Sequence, residues 1–105
     1  LNNIVPQNNF RFPKPIGLIQ YCINLFESKN ITVLDFFAGS GTTGHAVLKS
    51  NKEDDGKRTF ILCTNNENKI CETVTYPRIK NAIKGYKINE NKIEALGGNL
   101  KYYKV

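Results

Sequence analysis

The chain contains no two adjacent prolines; its four, Pro6, Pro13, Pro15 and Pro77, all stand alone. Histidine occurs once, at His45, and cysteine three times, at Cys22, Cys63 and Cys71, without a C-x-x-C pair. These gaps exclude zinc ribbons and dithiol redox centres, and no metal-ligand spacing is present, so no metal is expected. Three thiols leave one unpaired under any intramolecular scheme, which favours a reducing compartment. The cysteines are expected to be packing residues, Cys63 in a buried strand and Cys22 on an apolar helix stripe. Long hydrophobic runs are also missing: none approaches the length that spans a membrane, and no secretory leader is visible.

Acidic residues are few beside basic ones, nine against fifteen, for a formal charge of +6. That sign suits a nucleic-acid partner, because lysine and arginine neutralise phosphates and release counterions. Twelve of the fifteen cations are lysines in a chain rich in Asn and Ile, a bias that an AT-rich genome produces unaided. At 105 residues there is room for one domain whose modest core buries roughly two thirds of the unfolded-chain surface. A hydrophobic content of 40% marks a folded chain rather than a disordered one.

Glycine is concentrated where it matters. After the apolar run Ile31-Thr32-Val33-Leu34 comes Asp35-Phe36-Phe37-Ala38-Gly39-Ser40-Gly41-Thr42-Thr43-Gly44, a strand, a glycine turn and a helix start. Such a turn lets backbone approach a ligand, and the helix presents unpaired N–H groups at its positive end. Gly39, Gly41 and Gly44 satisfy the G-x-G-x-x-G spacing of dinucleotide folds. No Lys-Ser or Lys-Thr follows, which excludes a P-loop. Asp35 shifts the reading, because a carboxylate beside the turn repels a pyrophosphate and attracts a cation. S-adenosylmethionine, with its sulfonium and ammonium groups, suits it better than NAD. The bland alternative is an ordinary strand-to-helix turn in which Asp35 caps local amides.

With Phe12-Pro13-Lys14-Pro15 upstream, this stretch resembles the cofactor-binding part of amino-group, N6-adenine DNA methyltransferases. Residues 60–68 (FILCTNNEN) and 97–104 (GGNLKYYK) further resemble the modification subunits of type III restriction-modification systems. The resemblance implies methyl transfer from S-adenosylmethionine to the exocyclic amino group of adenine in a defined DNA sequence. It also implies a bacterial, cytoplasmic setting, DNA as the partner of the parent enzyme and a restriction subunit as a further one. In that family an acidic residue or Asn followed by two prolines and an aromatic grips the target amine, in a permuted order that puts it before the FPKP element. No such motif occurs here, so no catalytic residue is expected. With Leu1 in place of a methionine, the chain reads as the cofactor-binding C-terminal portion of a methyltransferase domain. The donor-binding residues implied are Lys14, Asp35, Phe36, Phe37, Gly39, Ser40, Gly41, Thr42, Thr43 and Glu67. Without the resemblance, Lys14 reads as a solvated loop lysine.

The expected fold is α/β, a partial Rossmann-like methyltransferase sheet of three parallel strands with flanking helices, in one partial domain over residues 1–105. Residues 1–12 form an extended arm. A helix follows from about Pro15 to Glu27, with Ile19, Cys22, Ile23 and Phe26 on one buried face. Strands span Ile31–Phe36 and Arg58–Thr64. Between them a helix covers Thr42–Ser50, its hydroxyl residues capping the first turn and Ala46 and Val47 packing on the sheet.

Glu67 lies just past the second strand, where a carboxylate can accept from both ribose hydroxyls. Related enzymes place the acid at the strand tip, where this chain has Thr64, and Asn65 or Asn66 are alternatives. A third helix runs from Tyr76 to about Gly85, with Arg78, Lys80, Lys84 and Lys87 as a solvated face. A short helix over Ile88–Leu96 and a third strand over Leu100–Val105 complete the set. His45 is expected to be an exposed helix residue. A nicotinamide-dependent oxidoreductase fragment and a catalytically silent binding or assembly module remain as alternative readings. A half-sheet also exposes apolar surface, so pairing with another copy or with the missing half is expected.

Overall fold

The computed structural model describes Ile4 and residues 14–104 of the chain. Most of the expected arm, with Phe12 and Pro13 of the FPKP element, lies outside the described residues. Ile4 does not: it is buried in the core, and its carbonyl accepts from Asn81 Nδ2 at 3.0 Å.

Strands β1 (Thr32–Asp35) and β2 (Thr59–Leu62) pair in parallel, Thr32 opposite Thr59 and Asp35 opposite Leu62. Helix α2 (Thr42–Asp54) is the crossover between them, one turn longer than its pattern predicted. The strands alternate, so Val33, Phe60 and Leu62 face the core while Leu34 and Ile61 stay about half exposed on the other side. Helix α1 (Ile16–Asn24) packs on α2 through Ile16, Ile19 and Ile23 against Ala46 and Val47. It ends before Glu27, and its buried stripe is rotated from the expected one, leaving Cys22 and Phe26 exposed. Cys63, the residue just past β2, is exposed too, so neither thiol is a core residue.

On its other side α2 meets α3 (Tyr76–Lys84), where Leu48, Ile79 and Ala82 form a second core cluster with Ile4. A π-helical turn, Cys71–Thr75, leads into α3. Pro77 has no N–H to return to the preceding turn, which accounts for the widened winding just before it. The carbonyls at the end of α3 are satisfied from afar: Leu96 N–H donates to Ala82 O at 3.0 Å and Gly97 N–H to Ile83 O at 3.1 Å.

Two expected elements are replaced. Residues 86–93 form an antiparallel hairpin, β3 (Tyr86–Ile88) and β4 (Asn91–Ile93), in place of a helix. Asn89 takes the left-handed turn at φ 56°, a conformation that asparagine tolerates. Residues 100–104 form no strand, so the described sheet has two parallel strands rather than three. The segment is held by side chains, with the Tyr102 ring edge-on to Tyr76 at 5.0 Å and Lys104 Nζ 3.4 Å from Glu72. Between it and β2 lies an open groove of about 750 Å³.

Gly44 sets the distance between α2 and the sheet. A Cβ there would stand 2.8 Å from Ile79 Cδ1 and 3.0 Å from Leu62 Cδ1. Gly44→Ala is therefore expected to cost about 1–3 kcal/mol by overpacking. In an Ile79→Val background, which removes the Cδ1 methyl, the cost of Gly44→Ala should shrink. Urea unfolding of the double-mutant cycle measures it, and strict additivity would contradict the contact.

Candidate functional site

Asp35 ends β1, and both of its oxygens already have partners. Oδ1 accepts from the Phe37 N–H at 2.9 Å and Oδ2 from Thr43 Oγ1 at 2.8 Å. The half-buried carboxylate thus ties the start of the glycine loop to the first turn of α2, the capping role of the bland reading, while keeping its charge beside the loop. Gly41 caps α2 in the left-handed region at φ 87°, and no side chain caps that helix, contrary to the expected hydroxyl caps. The hydroxyls of Ser40, Thr42 and Thr43 turn inward, and all three residues are buried.

A cavity of about 540 Å³ opens at the carboxyl ends of β1 and β2. Phe36, Phe37 and Gly39 line it after β1, and Thr64, Asn65, Glu67 and Asn68 after β2. Phe37 is 86% exposed, a large aromatic face left to solvent at the cavity. Glu67 reaches the cavity because the chain turns through left-handed residues, with φ 56° at Asn66 and 54° at Asn68. Asn66 itself turns away: its Oδ1 accepts from Cys71 N–H at 2.9 Å and its Nδ2 donates to Glu72 at 3.4 Å. Of the expected residues, Phe36, Phe37, Gly39 and Glu67 meet at the cavity. Asp35, Ser40, Gly41, Thr42 and Thr43 form the loop behind it. Lys14 meets the loop through its backbone, its carbonyl accepting from Thr42 Oγ1 at 3.2 Å, with its side chain exposed.

The sequence reading missed what holds the loop from behind. Thr75, three residues before Arg78, donates its hydroxyl to Gly39 O. Arg78, expected on a solvated face, is 3% exposed, and its Nη1 donates to Ser40 Oγ at 2.9 Å and to Thr42 Oγ1 at 2.8 Å. Its Nε donates to His45 Nδ1 at 3.2 Å. Burial pulls the pKa of the guanidinium well below its usual value, to about 10, which leaves it a cation at neutral pH. His45, expected to be exposed, is buried and accepts at Nδ1, so it is the neutral tautomer with its proton on Nε2. The only sequence signal was the spacing of Thr75 and Arg78 beside the core positions Ile79 and Ala82.

Burial, then the Arg78 charge, lowers His45 from 6.5 to about 4. Between those values the unfolded chain binds a proton that the folded chain refuses. This stabilising contribution is complete above pH 6.5 and is lost as the pH falls toward 4. His45→Gln, whose amide oxygen can still accept from Arg78, should flatten that part of a stability-versus-pH curve relative to the parent. An unchanged slope would place His45 in water.

The DNA methylase family profile matches residues 2–95. The Mod subunit of the type III restriction-modification enzyme StyLTI from Salmonella typhimurium strain LT2 is 60% identical over 57 residues, 54% of this chain and 9% of that protein. The EcoPI Mod subunit of Escherichia phage P1 is 43% identical over 67 residues, 64% of this chain and 10% of its own length. The type II methyltransferase M.KpnI of Klebsiella pneumoniae is 44% identical over 57 residues, 54% of this chain and 14% of that enzyme. The chain therefore spans 9–14% of the length of these relatives. Matched across residues 2–95, with its glycine loop at the carboxyl ends of a parallel strand pair, the chain belongs to the DNA methylase family.

Proposed function

We propose that this chain is the S-adenosylmethionine-binding part of an N6-adenine DNA methyltransferase of a restriction-modification system. The observation that carries the reading is the cavity at the carboxyl ends of β1 and β2, which brings Phe36, Phe37 and Gly39 to Glu67. Ligands of open α/β sheets bind at that edge, and about 540 Å³ falls within the range of small-molecule pockets. Phe37 offers a face for the adenine ring, and the Glu67 carboxylate accepts from the ribose hydroxyls. The donor's cationic methionine end then lies toward Asp35. In the whole enzyme the donor would supply its methyl group to the amino nitrogen of an adenine turned out of the duplex, that nitrogen giving up a proton and the donor leaving as S-adenosylhomocysteine.

The grip on the target amine belongs to a double-proline motif that these 105 residues do not contain. This part binds the donor and does not capture the base. DNA and a restriction subunit are the partners of the whole enzyme, which works in the bacterial cytoplasm. Among the described residues no helix is long and apolar enough to cross a membrane. Membership of a DNA methylase family displaces the nicotinamide reading.

Calorimetry with S-adenosylmethionine, S-adenosylhomocysteine and NADH tests the reading. The first two should bind and NADH should not; the reverse would refute it. Asp35→Asn keeps an acceptor for the Phe37 N–H and removes the charge, and should weaken S-adenosylmethionine binding about tenfold. Unchanged affinity would remove the electrostatic basis for choosing this donor.

A further inference from the structure

Arg78 is a buried cation whose acceptors are all neutral: two hydroxyls, an imidazole nitrogen and the Ser40 carbonyl at 3.5 Å. Among the described residues no carboxylate pairs with it. A buried guanidinium without a counter-ion is poor value for stability alone, since an apolar residue of similar volume often serves as well or better. What it supplies is direction. Its Nη1 lies within hydrogen-bond reach of Ser40 and Thr42 on either side of the left-handed Gly41.

The protons along this chain have one consistent order. Thr42 has a single hydroxyl proton, donated to Lys14 O, so Thr42 Oγ1 must accept from Arg78 and from Ser40, whose Oγ is 3.2 Å away. Ser40 Oγ in turn accepts from Arg78. A donor-only group at the root of the chain therefore orients both hydroxyls and points the Thr42 proton at the segment that carries Lys14. His45 holds the other side of the guanidinium.

Resting on the donor-binding reading above, we propose that Arg78 is the positioning residue of the donor site. From α3 it fixes the glycine loop in its ligand-ready form and couples that loop to the Lys14-Pro15 element, without touching the donor itself. The separation of stability from positioning is what distinguishes this role from ordinary packing.

Arg78→Met, made in the full protein, keeps the aliphatic stem and removes every donor. The melting temperature should change by no more than a few degrees, because the desolvation cost recovered from the guanidinium offsets part of the cost of leaving its acceptors without a donor, while the amides of Gly41, Thr42 and Thr43 exchange at least about tenfold faster and those of β1 and β2 keep their protection. The dissociation constant for S-adenosylhomocysteine should rise at least about tenfold, and Arg78→Lys, with charge but a single donor group, should restore part of both. Ile83→Ala, in α3 and clear of the loop, should lower the melting temperature with loop exchange and affinity relative to the folded state unchanged. Should Arg78→Met fail to fold, Arg78→Lys against the parent reads the same amides and the same affinity.

Unchanged loop protection overturns the proposal, as does faster loop exchange with unaltered affinity. If the parent protein binds no S-adenosylhomocysteine while its loop still responds to Arg78, the donor reading fails and the loop-fixing role stands.

Discussion

A buried glycine loop takes carbonyls and hydroxyls out of water, and each of them has to find a partner inside the protein. Here the loop is buried because Gly44 lets α2 lie against Ile79 and Leu62, with no room for a Cβ. Ser40, Thr42 and Thr43 go inward with it. The rest of the site follows from how these groups are satisfied. Asp35 takes the Phe37 N–H and the Thr43 hydroxyl, Thr75 takes the Gly39 carbonyl, and Arg78 supplies Ser40 and Thr42. The aromatic side chains of Phe36 and Phe37, left outside this network, are exposed and face the cavity.

The division of labour differs from the one implied by spacing alone. The loop hydroxyls do not line the cavity; they hold the loop in place from behind, and Gly39 with the two phenylalanines faces the cavity. Lys14 joins the arrangement by its carbonyl. Asp35 is at once a structural acceptor and a negative charge close to where a cationic donor end would lie. A substitution there changes both properties unless the acceptor is kept.

The strand-loop-helix unit was legible in the sequence because it is local: β1, α2 and β2 depend on alternation, glycine spacing and a helical crossover within one short stretch. The family resemblance was legible for the same reason. Arg78 and His45 were misjudged because their meaning is set by groups 33 to 38 residues away, which helical periodicity cannot report. Glu67 looked offset from the strand tip because left-handed φ at Asn66 and Asn68 is not announced by glycine. The hairpin over residues 86–93 overlaps the helix expected over Ile88–Leu96, and it was missed because strands of three residues are too short for alternation to show. The expected third strand failed where tyrosine and lysine side chains, not a backbone ladder, hold residues 100–104.

The donor reading joins a cavity, a charged loop and a family to one ligand pose, and a crystal structure of the protein with S-adenosylhomocysteine tests that pose directly. The adenosine should occupy the cavity beside Phe37, with the ribose hydroxyls on the Glu67 carboxylate and the amino-acid end toward Asp35. A ligand bound elsewhere, or bound there with Glu67 turned away and the amino-acid end pointing from Asp35, would contradict the account.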